Sequence, residues 1–179
     1  LKANPVPVQV PRGREESFVG VIDLVRLRSY RYLDESLGAE YREESVPEEY
    51  RAEVEEQRER LLEAVAETSD DLLDQYLSGG SLSEEQILRG LRLGTISGAL
   101  VPVLCGAAFK NKGVQPLLDA VVDFLPSPLD VPPIEGYRPS TSELDVRHAA
   151  DDEPFAALVF KIMNDPFVGS LSLLRIYSG

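Results

Sequence analysis

The chain has few of the residues from which covalent, redox or zinc sites are built. Its 179 residues include one cysteine, one histidine, one methionine and no tryptophan. The single cysteine, Cys105, excludes an internal disulfide and suits a reducing cytoplasm. His148 has no cysteine or histidine at the spacing of a zinc site. We therefore expect no metal ligands and no catalytic residues in this chain.

Positive charge and long apolar runs are also scarce. The chain has 18 basic and 31 acidic residues, a net charge of −13. This acidity argues against a nucleic-acid surface spread over the whole chain, because phosphate contacts need clustered lysines and arginines. No segment approaches the ~18 consecutive apolar residues of a membrane span, and the first residues do not resemble a signal peptide. We expect a cytoplasmic protein with neither DNA nor a membrane as partner.

The sequence lacks the loop that usually holds nucleotide phosphates, G-x-x-x-x-G-K-[ST], and the guanine-specificity motif Asn-Lys-x-Asp. It nevertheless has a small-residue loop at 105–113, between an apolar run and a periodic helix. Small residues let backbone amides approach a ligand, and α/β folds place ligands in strand-to-helix loops. The alternative is an ordinary connector, which also favours small residues.

Periodicity indicates β structure first and helices afterwards. Alternating and β-branched residues predict strands within 4–33, with one run from 18 to 32, a turn at 34–38 and a short strand at 40–45. Helical spacing covers 47–97. The first helix there carries an apolar stripe, and the third opens with a capping box of Ser83 and Gln86. The stripe consists of Tyr50, Val54, Leu61 and Val65.

The last third of the chain adds one strand–helix pair and a β segment. Residues 99–104 predict a strand covered on both faces and, because of Pro102, near a sheet edge. The helix at 114–125 is predicted to face a core, through Val114, Leu117, Leu118, Val121 and Leu125. The proline-rich segment 126–150 predicts a semi-rigid linker. Two strands follow, and because two strands alone are barely stable, we expect them to begin a larger β domain.

Nine sequence blocks match a known family in the same order. They lie at 3–9, 18–24, 105–115, 118–121, 125–128, 151–155, 160–162, 165–169 and 175–179. Through them the chain resembles bacterial elongation factor G, a translational GTPase, over residues 1–179 with a variable zone at about 33–97. From the resemblance and the abrupt chain ends we expect the chain to be an internal fragment of such a protein.

The resemblance implies a mixed α/β and α+β architecture. It consists of the C-terminal part of a Ras-like GTPase domain with an inserted α+β subdomain, followed by the first strands of a β-barrel domain. Residues 1–14 would be a GTPase-domain strand segment and 15–98 the insert. Residues 99–125 would close the GTPase domain, 126–150 would form the linker, and 151–179 would be the truncated start of the barrel.

The resemblance also implies a site. Gly106, Ala107, Ala108 and Phe109 correspond to the guanine-base loop, in which the backbone N–H of Ala108 donates to the base carbonyl. Ala107 stands where a serine is usual, so a side-chain hydrogen bond within the loop is lost. The implied ligand is GTP or GDP, with Mg²⁺ in the parent protein but no Mg²⁺ ligands in this chain.

The implied function is that of a ribosomal translocase, which hydrolyses GTP to move tRNA and mRNA during elongation. Its partners would be ribosomal RNA and the stalk protein of the large subunit, although the acidic helix at 48–68 would repel an acidic partner. Phosphoryl transfer needs a phosphate cradle and a metal together, so the chain alone is expected to be inactive. The alternatives are a related ribosomal GTPase, for release-factor recycling or ribosome protection, and a free-standing acidic protein-interaction module.

Overall fold

The computed structural model describes residues 3–33, 38, 40–138 and 140–179. The chain divides into two compact units, Leu1–Leu125 and Pro126–Gly179. Among the described residues there are ten strands and four α-helices, and none of these helices is both long and apolar enough to cross a bilayer. The mixture of small sheets and separate helices is an α+β fold.

The described residues of the first unit form two sheets. A four-stranded antiparallel sheet has the order β2 (Gln9–Arg12), β3 (Gly20–Asp23), β4 (Arg28–Tyr32) and β5 (Tyr41–Ser45). A separate parallel pair joins β1 (Pro5–Pro7) to β6 (Val101–Val103). The segment 1–14 is thus divided, because β1 pairs with β6 whereas β2 pairs with β3.

The expected single run from 18 to 32 is wrong, because the chain reverses between β3 and β4. The carboxylate of Asp23 accepts the N–H groups of Val25 at 2.7 Å and Arg26 at 2.8 Å, and such a bond from an Asp side chain favours a turn. Leu27 adopts a left-handed φ of +54°. Leu24 and Val25 are buried, so the turn has the apolar composition that is expected of a strand. Of the turn expected at 34–38, only Gly38 lies among the described residues.

Three helices follow the four-stranded sheet in the chain: α1 (Arg51–Ala66), α2 (Asp70–Leu77) and α3 (Glu84–Ser97). Helix α1 packs against β1 and the other two helices, and α3 packs against β6. The predicted stripe of the first helix is confirmed, since Val54, Leu61 and Val65 are buried and Tyr50 is half-buried. The capping box is confirmed as well. Ser83 Oγ accepts from the Gln86 N–H at 3.3 Å, and Gln86 Oε1 accepts from the Ser83 N–H at 2.9 Å.

The core of the first unit joins side chains of strands β1, β2 and β3 to those of the three helices. Its fully buried side chains come from the strands, the β3–β4 turn and the helices: Ile22, Leu24, Leu61, Val65, Leu72, Ile87 and Leu91. The guanidinium of Arg58, on α1, donates to the carbonyls of Leu24 and Val25 in the β3–β4 turn. Burial lowers the pKa of Arg58, and the nearby Asp23 partly opposes this shift. Arg58 therefore joins the first helix to the turn.

The strand and helix after residue 99 form, but they are more exposed than predicted. Strand β6 has three residues, and Val101 and Val103 remain half-exposed. The helix α4 (Val114–Phe124) buries Ala120 and Phe124 instead of the predicted stripe. Four members of that stripe are about half-exposed: Leu117, Leu118, Val121 and Leu125. Among the described residues β6 pairs only with β1, so this narrow sheet leaves much of α4 uncovered.

The described residues of the second unit form two antiparallel hairpins. The first lies within the expected linker and pairs β7 (Ile134–Tyr137) with β8 (Leu144–Arg147). The prolines there predicted extended chain but gave no sign of pairing. The second hairpin, β9 (Ala156–Asp165) and β10 (Gly169–Ser178), confirms the two predicted strands. Of the described residues in this unit, only Ser178 is buried.

Candidate functional site

The loop between β6 and α4 is closed by its own backbone. The N–H of Ala107 donates to the Lys112 carbonyl at 2.8 Å, and the N–H of Lys112 donates to the Ala107 carbonyl at 3.2 Å. Between these residues one 3-10 turn, Ala108–Lys110, is held by a bond of 2.9 Å from the Lys110 N–H to the Ala107 carbonyl. The main chain of the loop thus fixes its shape.

Two glycines face each other where the loop closes. A Cβ on Gly106 would lie 2.8 Å from the Lys112 carbonyl oxygen. A Cβ on Gly113 would lie 2.8 Å from the Cys105 carbonyl oxygen, and Gly113 has a left-handed φ of +86°. A side chain at either position would therefore collide with main-chain atoms. The sequence suggested Gly106 for ligand access, but its close approach to the opposite strand of the loop was not anticipated.

The four predicted site residues lie together in this loop. Gly106 and Ala108 are exposed, Ala107 is half-buried, and the ring of Phe109 is fully exposed. Within the described part of the chain the N–H of Ala108 has no hydrogen-bond acceptor, unlike that of Ala107. The loop therefore presents an unused backbone donor next to an exposed aromatic ring. This arrangement can bind a carbonyl on a planar ligand.

A pocket of about 190 Å³ lies against the inner side of the loop. Its walls are the loop backbone together with the side chains of Leu104, Val114 and Leu117. Complete sites for small molecules usually have volumes of about 300–1,000 Å³. This pocket is therefore smaller than a complete small-molecule site.

Cys105 precedes the loop and is unsuited to chemistry there. Burial raises the pKa of its thiol to about 11. A thiol is a good nucleophile or metal ligand only as the thiolate, which this shift disfavours at neutral pH. The N–H of Cys105 donates to Gln9 Oε1 at 3.4 Å, so the residue serves packing at the end of β6.

The side of the loop away from the exposed face contacts the four-stranded sheet. The ammonium of Lys112, whose residue is only 6% exposed, donates to the Phe18 carbonyl at 3.3 Å. The hydroxyl of Tyr32, at the end of β4, donates to Gln115 Oε1 at 3.3 Å. Burial raises the pKa of Tyr32, and a hydrogen bond with the Gly113 backbone partly opposes the shift. Sequence reasoning missed both contacts.

The remaining candidate, His148, lies in the second unit. Its ring is exposed, and Nδ1 lies 3.1 Å from Glu153 Oε1. Across the described residues there is no group of three or more histidine, cysteine, aspartate or glutamate side chains able to hold a metal ion. His148 therefore belongs to no metal-binding group in the described part of the chain.

No protein-family model matches the chain. A crystal structure of a protein from Thermus thermophilus is similar to it, with 31% sequence identity and a TM-score of 0.72. The match covers 98% of this chain but 23% of that protein. The chain thus spans about a quarter of the length of the protein that it matches, and it corresponds to one segment of that longer protein.

Proposed function

We propose that this chain is a segment of a ribosomal GTPase of the elongation factor G type and that it supplies one wall of the guanine pocket. The observation that carries this proposal is the loop after β6. Its backbone closes on itself between Ala107 and Lys112, whereas the N–H of Ala108 has no acceptor among the described residues. A preformed donor of this kind suits the carbonyl of a guanine base, as the sequence resemblance implies.

The alanine in place of the usual serine is compatible with base binding. Ala107 closes the loop through its own N–H and carbonyl, and any residue supplies these groups. A hydroxyl would add one hydrogen bond, which is typically worth ~0.5–1.5 kcal/mol. The exposed ring of Phe109 offers an apolar face on which a base can pack.

The detailed architecture is part of the same proposal. The parallel pair of β1 and β6, followed by α4, is consistent with the end of a Ras-like GTPase domain. The antiparallel sheet with α1, α2 and α3 then corresponds to the insert. The long hairpin of β9 and β10 corresponds to the first strands of a β-barrel domain.

The proposed ligand is GTP or GDP, with Mg²⁺ bound by parts of the longer protein outside this chain. The described residues contain no carboxylate cluster suited to an ion, and the sequence has no phosphate loop. The residues of this chain would bind and orient the base. Holding the phosphates and Mg²⁺, and hence hydrolysis, would depend on residues outside it.

The proposed partners are ribosomal RNA and the stalk protein of the large subunit, in the cytoplasm. The insert is the proposed contact for the stalk. The exposed face of α1 is acidic, and its Arg60 is already paired with Glu56 at 2.6 Å. This face would repel the acidic stalk protein, so the proposed contact lies elsewhere on the insert.

The deciding experiment uses the longer protein that contains this chain. We expect ribosomes to stimulate its GTP hydrolysis and the reaction to move peptidyl-tRNA, as measured by puromycin reactivity. Ribosome splitting without tRNA movement would instead indicate a recycling GTPase, and release of a ribosome-bound antibiotic would indicate a protection protein. Ribosome binding without any hydrolysis would favour the interaction module.

The chain alone gives a second test of the same proposal. Titration with a fluorescent GTP analogue should show no measurable binding, because this chain supplies only one wall of the pocket. Micromolar affinity would contradict the assignment of the remaining walls to other segments.

A further inference from the structure

We propose that Lys112 is a positioning residue of the guanine loop. Through Lys112, the four-stranded sheet sets the affinity of the loop for the base. This inference rests on the proposed function of the loop. It assigns to the insert a direct structural part in nucleotide binding.

The first step of the argument is the burial of a charge. Among the described residues Lys112 is the only buried lysine or arginine. Removing an ammonium from water is unfavourable unless strong hydrogen bonds compensate. The ammonium of Lys112 donates to the carbonyl of Phe18, which shortly precedes strand β3 of the sheet. A lysine in this place therefore favours one defined position of the loop relative to Phe18.

The second step is that the same residue closes the loop. The main chain of Lys112 exchanges hydrogen bonds with Ala107 in both directions. Ala107 immediately precedes the N–H of Ala108, the proposed donor to the base. Any displacement of Lys112 is therefore transmitted to the peptide that carries this donor. Hydrogen bonds weaken steeply when distance or angle departs from the optimum, so such a displacement would reduce affinity.

The third step is that the sheet contacts the loop region elsewhere too. Tyr32 bonds to Gln115 at the start of α4. Gly38 lies so close to the loop that a Cβ on it would be 2.3 Å from the Lys110 carbonyl oxygen. Gly106 and Ala108 remain exposed in the presence of these contacts. The loop is thus held by the sheet while its binding face stays open.

The test compares variants of the longer protein with two ligands. GDP carries the carbonyl at C6 of the base, whereas 2-aminopurine riboside diphosphate lacks it. We expect Lys112→Met to weaken GDP binding about tenfold, the effect of losing the neutral hydrogen bond from the displaced Ala108 N–H to the base. Binding of the analogue should not change, because it does not use the Ala108 donor. Lys112→Arg should restore part of the GDP affinity, and Tyr32→Phe should cause a smaller loss of the same kind.

The outcomes separate this inference from the proposed function. If the wild-type protein binds no guanine nucleotide, the proposed function fails, and the inference fails with it. If the wild type binds GDP but Lys112→Met binds it equally well, only the inference is overturned. Equal weakening for GDP and the analogue would also overturn it, because a general loss of structure does not distinguish the two bases. Should Lys112→Met not fold, as judged by circular dichroism, Tyr32→Phe decides between the same outcomes.

Discussion

The strands of both units carry apolar side chains, but the two units differ in how far these side chains are buried. In the first unit, side chains such as Ile22, Leu61 and Leu91 have no exposed surface. In the second unit, Val159 and Ile162 of β9 remain 52% and 69% exposed, although both are paired with residues of β10. Pairing of strands satisfies the backbone, but it buries side chains only where a second layer covers the sheet. Backbone pairing and side-chain burial are therefore separable sources of stability.

The largest effect that tests this comparison is the truncation of a leucine in each unit. Leu61→Ala should destabilise the first unit by about 2–5 kcal/mol, because it leaves a cavity in a packed core. Leu158→Ala is the matched change in the second unit, where the side chain is 54% exposed. It should cost less than about 1 kcal/mol. Hydrogen exchange read on the amides of each unit measures both changes in the same chain.

Similar effects of the two truncations would contradict this difference between the units. A loss of protection in β9 and β10 after Leu158→Ala as large as that in α1 after Leu61→Ala would mean that the hairpin is stabilised by burial. The side chains of the hairpin would then be covered in solution.

A second, smaller effect compares one glycine from each unit. Gly106→Ala places a Cβ 2.8 Å from the Lys112 carbonyl oxygen. We expect a loss of about 1–3 kcal/mol, as for other overpacked sites, seen as faster exchange of the amides at 106–113. Gly136→Ala in β7 has open space around the new methyl group. It should be neutral or stabilise the hairpin by about 0.4–1 kcal/mol, because alanine has less conformational freedom in the unfolded chain.

If Gly106→Ala were tolerated as well as Gly136→Ala, the loop would be able to rearrange. The preformed shape on which the proposed base binding depends would then be wrong. Retention of guanine affinity by the longer protein carrying Gly106→Ala would contradict it in the same way.

Elements that depend on local patterns were predictable from the sequence. The helices at 51–66 and 84–97 carry periodic apolar residues, and the second has a capping box. The loop at 106–109 could be predicted because small residues between a strand and a helix are a local signal as well. The turn after Asp23 was missed, since buried Leu24 and Val25 gave it the composition of a strand.

Features that depend on distant contacts could not be predicted. The buried ammonium of Lys112 donates to Phe18, which is 94 positions away in the sequence, and a lysine in a polar loop gives no periodic signal. The prediction that the stripe on α4 is buried was wrong for the opposite reason. Its spacing is that of a core-facing helix, but the described residues leave Leu117 and Leu118 about half-exposed. Periodicity indicates which face can be buried, whereas the partners that cover it decide whether it is.

The smallest expected effect concerns an ion pair in the first hairpin of the second unit. Among the described residues of that unit, only Ser178 is buried. On β8 the carboxylate of Asp145 accepts from Arg147 at 2.6 and 2.9 Å, and from Arg138 at 2.9 Å. These hydrogen bonds lower the pKa of Asp145 to about 2, from an ordinary value of 3.8. Because the folded pKa is the lower one, the ionised group stabilises the hairpin above about pH 4. This contribution is lost as the pH falls through about 2.

An NMR titration of the Asp145 carboxyl carbon at low salt measures this shift directly. We expect a midpoint near pH 2, and Arg147→Met should move it toward 3.8 because the main donor is lost. Added salt should reduce the shift, since an exposed ion pair is screened. A wild-type midpoint near 3.8 would mean that the pair does not persist in water. The hairpin of β7 and β8 would then depend on its backbone pairing alone, whereas the first unit is stabilised by buried side chains.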